Sequence, residues 1–212
     1  MTDERRAECR PASNPAAIEF AAELLSQGEL VVFPTDTVYG IGAAVDRPDA
    51  VARLYVAKGR PLDRPIPVLI SNIAQVQRLA CDVDARLERF LRNFWPGGLT
   101  VVLKAAKWLP REIVGDTGNV GLRIPDHNVA LALIEAAGGA IATTSANRSG
   151  EPAATTPEEA YEALADEAAL VLDGGMSPGR INSTVIAVES GRITILRNGA
   201  IPAGLLPDQL PE

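Results

Sequence analysis

The stretch Pro48-Asp49-Ala50-Val51-Ala52-Arg53-Leu54-Tyr55-Val56-Ala57-Lys58-Gly59-Arg60-Pro61-Leu62-Asp63-Arg64-Pro65-Ile66-Pro67-Val68-Leu69-Ile70 contains a helix, a loop and a strand in succession, and its reading decides the fold class. Pro48 suits the first position of a helix, Val51, Leu54 and Tyr55 recur on one helical face, and Gly59 ends it. The run from Ile66 to Ile70 is short and apolar, as a buried strand is. Between them Lys58, Arg60 and Arg64 put their positive charges into one loop of an otherwise acidic chain, an arrangement suited to a polyphosphate. Gly59 and the prolines Pro61, Pro65 and Pro67 stiffen that loop and hold its charges in place before a ligand arrives.

The same alternation continues outward in both directions. Asn14-Pro15 reads as a helix cap followed by the first helical position, with Ile18, Ala22 and Leu25 on one face and Gly28 as the stop. Further helices are expected after Ser71, past Val76 and Leu79, over 84–94, where Leu87, Phe90 and Leu91 make an apolar stripe, and over 129–137. A helix over 157–164 opens on Thr156-Pro157-Glu158-Glu159, a capping-box signature. Strand-like runs lie at 30–33, 99–103, 120–124, 140–143, 170–172, 184–188 and 193–196. Interleaved helices and strands without a visible linker predict one α/β domain, an open twisted mixed sheet with flanking helices. The expected domain spans 14–201, between a flexible N-terminus at 1–13 and a flexible, proline-bearing tail at 202–212.

At 212 residues, with 47% hydrophobic and 22% charged residues, the chain has the composition of a globular protein with a substantial core. Its net charge of -7 argues against a general affinity for nucleic acid, which rests on neutralising phosphates, but leaves a local basic cleft open. Cys9 and Cys81 are far apart and outside any metal-ligand spacing, so no disulfide framework or protein-bound zinc is expected. The first thirteen residues lack the apolar core of a secretion signal, and no stretch is long and apolar enough for a bilayer; the expected location is the cytoplasm, without membrane partners.

Several chemistries are disfavoured by what the sequence lacks. His127 is the single histidine, which excludes a histidine-rich metal centre, and its setting between Asp126 and Asn128 predicts a solvated or capping role. Gly40-Ile41-Gly42-Ala43-Ala44-Val45 lacks the third glycine of a dinucleotide fingerprint. Gly174-Gly175-Met176-Ser177-Pro178-Gly179-Arg180-Ile181 has the glycine spacing of a phosphate loop but neither its lysine nor its hydroxyl residue, and reads as a turn. Catalysis would then rest on positioning and electrostatics, with a metal brought by the substrate.

A second polar cluster, Thr143-Thr144-Ser145-Ala146-Asn147, follows an apolar strand, and its short hydroxyl and amide groups are better hydrogen-bonding than core material. Arg123 stands inside the apolar run Gly121-Leu122-Arg123-Ile124, where a charge needs a partner or an anionic ligand. Each feature also has a plainer reading: cations at a helix C-terminus for the basic loop, turn formers for Ser145 and Asn147, the start of a strand for Asn182-Ser183-Thr184.

Together, Pro34-Thr35-Asp36-Thr37-Val38-Tyr39-Gly40, Lys58-Gly59-Arg60-Pro61, Phe94-Trp95-Pro96-Gly97, Arg123-Ile124-Pro125, Ser145-Ala146-Asn147-Arg148-Ser149-Gly150 and Ser183-Thr184-Val185 resemble the ordered signatures of the YrdC-like domain family, the threonylcarbamoyl-AMP synthases. The resemblance runs from about Ala17 to Ile201. It implies an open α/β sheet with a concave basic cavity. The implied enzyme is a nucleotidyltransferase that joins L-threonine, bicarbonate and ATP into L-threonylcarbamoyladenylate and pyrophosphate. That product serves the N6-threonylcarbamoyl modification of adenosine 37 in tRNA.

The resemblance also implies roles residue by residue. Lys58 and Arg60 would be catalytic, and Lys58, Arg60, Arg64, Thr143, Ser145, Asn147 and Arg197 would bind ATP. Thr35, Arg123, Thr143 and Ser183 would surround threonine, and Mg²⁺ would come with ATP, with no metal ligand assigned to the protein. Downstream proteins of tRNA threonylcarbamoyl transfer, and weak contact with tRNA itself, are the implied partners. Many relatives carry histidine where this chain has Leu69, so a threonine contact seen elsewhere is missing or replaced. Longer members carry a second C-terminal domain, whereas this sequence ends soon after Ala200, and closure of the site would come from its own loops or from partners. Two rival readings stay open, an RNA-binding module and a carbamoyl-transfer paralogue on the same fold.

Overall fold

The computed structural model describes residues 6–59, 65–179 and 181–212. In chain order the elements are β1 (Glu8–Pro11), α1 (Pro15–Ser26), β2 (Val31–Phe33), β3 (Gly40–Ala44), α2 (Pro48–Lys58), β4 (Val68–Ile70), α3 (Ala74–Leu79), α4 (Ala85–Arg92), β5 (Leu99–Lys104), α5 (Arg111–Val114), β6 (Asn119–Arg123), α6 (Asn128–Ala136), β7 (Ala140–Ser145), α7 (Pro157–Leu164), β8 (Leu170–Asp173), β9 (Thr184–Glu189) and β10 (Arg192–Arg197). A short 3-10 turn, Ala203–Leu205, follows.

The helix ends form where side chains satisfy the unpaired backbone groups. The Asn14 side chain accepts from Ala16 N at 3.1 Å, Asp84 accepts from Leu87 N at 2.8 Å, and Thr156 and Glu159 close the expected capping box. α2 ends at Gly59, whose φ of 58° closes the helix in the left-handed region. That cap turns the chain directly after Lys58 and fixes where the lysine stands.

The ten strands form one open mixed sheet in the order β1-β8-β2-β3-β7-β4-β6-β5-β9-β10. Parallel pairs join β1 with β8, β8 with β2, β4 with β6 and β5 with β9; the other neighbours are antiparallel. Side-chain alternation divides the sheet into two faces. Val32, Ile41, Val68, Val101, Leu122 and Ala142 point into the larger core, which takes in Leu54 of α2, Phe90 of α4, Ile113 of α5 and Leu164 of α7. Val31, Phe33, Leu69, Ile141 and Leu172 point into a smaller core beneath α1 and α6.

That second core stops short of β5, β6 and β9. On β5, Leu99, Val101 and Leu103 face the larger core, so Thr100 faces the other way; on β6, Val120 and Leu122 do the same for Arg123. The phase of the strands therefore lays a row of polar side chains on the face where helical cover ends.

Three local expectations are revised. Residues 8–11, read as part of a flexible N-terminus, form β1 at the sheet edge, with Ala7 and Ala12 buried on either side. α3 begins at Ala74, with Asn72 Oδ1 accepting the Ala74 N–H at 3.1 Å, rather than on Ser71. The tail packs back: Leu210 N donates to Gly191 O at 2.8 Å, and Arg86 donates to Leu210 O at 2.8 Å. No helix among the described residues is long and apolar enough to cross a membrane.

Candidate functional site

Eleven polar or charged residues are buried among the described residues, and seven of them line one cavity of about 140 Å³. Larger hollows of about 660 and 830 Å³ open elsewhere, but none of the eleven lines either. Burial of polar groups costs free energy unless they are paired, so their concentration marks the smaller cavity as the candidate site.

Arg123 projects from the end of β6 and is 5% exposed. Its Nε donates to Gly97 O at 2.8 Å, one terminal nitrogen to Thr37 Oγ1 at 2.9 Å, and the other to Asp36 Oδ1. The ion pair with Asp36 is itself buried. Burial draws the Arg123 guanidinium below its ordinary value, against the opposing pull of Asp36. A guanidinium carries five N–H donors, so three inward bonds leave two for a ligand. Leu69 is its register partner on β4 and also lines the cavity.

The turn after β2 is built to receive that arginine. Thr35 Oγ1 donates to Val38 O at 2.7 Å, so in its 3.0 Å contact with Thr37 Oγ1 the Thr37 hydroxyl is the donor. Thr143, on β7, donates to Ile141 O at 3.1 Å. On the far wall Ser183 Oγ lies 2.8 Å from Thr100 Oγ1 and accepts from Arg197 at 3.1 Å, while Arg197 also donates to Ser183 O at 2.8 Å. Arg197 is exposed as a residue, but partial burial of its guanidinium draws its pKa below the ordinary value.

The second cluster forms a knot beside the cavity. Lys58 Nζ donates to Asn147 Oδ1 at 2.6 Å, to Ser145 O at 2.6 Å and to Ser145 Oγ at 3.3 Å. Ser145 Oγ in turn donates to Asn147 Oδ1 at 2.6 Å, and Asn147 Nδ2 to Glu151 O at 2.8 Å. A lysine therefore does reach Ser145, although none is near it in sequence. It arrives as a proton donor already shared among three acceptors, which is not the arrangement of a base activating a nucleophile.

Of the residues named from sequence, Thr35, Arg123, Thr143, Ser145, Ser183 and Arg197 line the cavity, and Lys58 and Asn147 join it through Ser145. Arg60 and Arg64 lie outside the described residues. Sequence reasoning missed Thr100, Asn182 and the partnership of Asp36 and Thr37 with Arg123. The signal for Thr100 was its place as the lone polar residue in the run 99–103.

His127, expected to be solvated or capping, is half-buried: its side chain makes no cap bond, and Nδ1 is buried without a hydrogen-bond partner. The Gly174–Gly179 stretch is a loop, as read, and it roofs the Pro34–Tyr39 turn. Tyr39 Oη donates to Gly175 O at 2.7 Å and accepts from Gly174 N at 3.2 Å; burial pushes its pKa up to about 12. Gly179 lies against the Asp36 carbonyl so closely that a Cβ would collide with it.

The Sua5/YciO/YrdC family model, described as "Telomere recombination", matches residues 23–199. A threonylcarbamoyl-AMP synthase of Pyrococcus abyssi is 39% identical over 185 residues, 87% of this chain and 54% of the relative. A threonylcarbamoyl-AMP synthase of Bacillus subtilis is 40% identical over 191 residues, 89% of this chain and 55% of the relative. The chain thus spans about half the length of these curated relatives. The crystal structure of P. abyssi Sua5 complexed with L-threonine superposes with a TM-score of 0.87 at 38% identity, covering 91% of this chain and 56% of that one. A sheet, a polar cavity and a family match that extends from α1 to just past β10 lead to one assignment: the chain belongs to the Sua5/YciO/YrdC family.

Proposed function

We propose that the chain is a threonylcarbamoyl-AMP synthase, joining L-threonine, bicarbonate and ATP into L-threonylcarbamoyladenylate with release of pyrophosphate. The observation that carries the reading is the convergence of Thr35, Arg123, Thr143 and Ser183, four residues remote in sequence, on one small cavity. The L-threonine complexed with P. abyssi Sua5 supports the same choice of amino acid.

The two unspent N–H donors of Arg123 would take the substrate carboxylate. Lys58, Ser145, Asn147 and Arg197 would form the nucleotide end together with Arg60 and Arg64. The threonine amine adds to the carbon of bicarbonate, the C–OH bond breaks, and the hydroxide leaves as water with a proton from the nitrogen, giving a carbamate. A carbamate oxygen then attacks the α-phosphorus, and the P–O bond to pyrophosphate breaks. Most of the acceleration comes from holding the reactants together and from cations facing the departing charge.

Mg²⁺ would come with the nucleotide. Among the described residues no group of three or more His, Cys, Asp or Glu side chains could hold a metal ion. When bound, it would neutralise charge on the phosphates. The product would pass in the cytoplasm to proteins that transfer the threonylcarbamoyl group to tRNA, with weak contact to tRNA itself.

The test is mass spectrometry on purified protein incubated with ATP, Mg²⁺, bicarbonate and threonine. A threonine- and bicarbonate-dependent threonylcarbamoyl-AMP peak with matching pyrophosphate release is expected. Its absence would sink the reading.

A further inference from the structure

The hydroxyl protons around the cavity can be followed one by one. Thr35 gives its proton to Val38 O, Thr37 to Thr35, Tyr39 to Gly175 O, Thr143 to Ile141 O and Ser145 to Asn147 Oδ1. Thr144 also lines the cavity, although its side chain alternates onto the face of Ala142 and the larger core. The Thr100–Ser183 pair remains, with two protons and one bond of 2.8 Å between the oxygens. One proton is therefore left over, and both residues line the cavity.

Arg197 decides which of the two it is. It donates to Ser183 Oγ at 3.1 Å, and a hydroxyl that accepts from a cation becomes the better donor in turn. Ser183 then gives its proton to Thr100, and the spare proton sits on Thr100. Thr100 is 5% exposed, so a proton there without an acceptor is costly, and a ligand oxygen is its natural partner. A carboxylate is matched by the arginines; a single neutral donor matches a neutral hydroxyl.

We propose that Thr100, oriented by the Arg197–Ser183 chain, donates a hydrogen bond to the side-chain hydroxyl of a β-hydroxy-α-amino acid and sets the preference for it. The proposal rests on the amino acid entering this cavity, as in the proposed function, and assigns the hydroxyl contact to Thr100 rather than to Ser183.

Isothermal titration of L-threonine and of L-2-aminobutyrate, which differs only by lacking the hydroxyl, tests this without any adenylate being formed. Wild type should bind threonine the more tightly. Thr100→Val should weaken threonine about tenfold, the ratio equivalent to one neutral hydrogen bond, and leave 2-aminobutyrate within about twofold. Thr100→Ser should restore the preference, and thermal unfolding should show both variants folded. An unchanged preference in Thr100→Val, or a preference lost in Ser183→Ala but kept in Thr100→Val, overturns the assignment, as does a wild type that binds neither amino acid or binds both alike. Failure of threonylcarbamoyl-AMP synthesis in a protein that still shows the Thr100-dependent preference would overturn the proposed reaction alone.

Discussion

Lys58 Nζ lies 2.6 Å from Asn147 Oδ1, across a sequence separation of 89 residues, and so ties the end of α2 to the loop after β7. The contact turns two polar clusters into one body. It also means that the lysine is buried, 4% exposed, and is held within the protein.

Lys58→Ala should therefore lower both turnover and stability. A charge-assisted hydrogen bond contributes about 1.5–3 kcal/mol, so pyrophosphate release should fall about tenfold or more. The thermal midpoint should drop as well, because Ser145 and Asn147 lose their shared donor. Near-wild-type turnover would remove Lys58 from the site.

Arg123→Leu leaves the carboxylate of Asp36 buried beside an apolar side chain. Breaking one partner out of a buried pair typically costs about 3–5 kcal/mol. Adding Asp36→Leu should recover part of that loss in chemical denaturation, since the stranded charge is removed with it. In steady-state kinetics Arg123→Leu should raise the threonine requirement far more than the ATP requirement; the reverse pattern would exchange the two substrate ends.

Gly179→Ala should act at a distance from the cavity lining. A methyl group there meets the Asp36 carbonyl, and Thr37 Cα at 3.1 Å, so the roof loop must lift from the turn that holds Arg123. Substrate binding measured by titration should weaken for threonine before it does for ATP. A variant with wild-type threonine affinity would show that the roof does not set the turn.

His127 gives a pH signature. Burial holds its pKa below the ordinary 6.5, although Asp36 and Asp126 pull upward. Between the folded value and 6.5 the unfolded chain binds more protons than the folded one, so stability falls as the pH drops through that window. Thermal midpoints measured at about pH 7.5 and about pH 5.5 should fall less in His127→Gln than in wild type. Equal slopes would exclude His127 as the source.

Much of this architecture was readable locally. Asn14-Pro15, Pro48 with Gly59, and Thr156 with Glu159 fix helix ends through bonds spanning a few residues, and the structure has those ends. The strand runs were readable because apolar periodicity is local too. Edge strand β1 was not: Glu8-Cys9-Arg10-Pro11 has no apolar pattern and is a strand only because β8 offers it a free edge. β3 hid behind Gly40 and Gly42, which looked like a failed dinucleotide loop. The Asp36–Arg123 pair and the Lys58–Asn147 contact depend on strand order, which no short window of sequence contains. Thr100 was visible only as an odd polar residue in an apolar strand.

Thr100 and Ser183 stand 83 residues apart and are brought together by the parallel pairing of β5 with β9. Closing so long a segment costs chain entropy before any contact repays it, and topologies of this kind fold slowly. On a ribosome, the early helices and strands emerge long before the last wall of the cavity has been made. A nascent or truncated chain can thus be compact and helical while its cavity still lacks a wall, which comes only with the segment that carries Ser183 and Arg197.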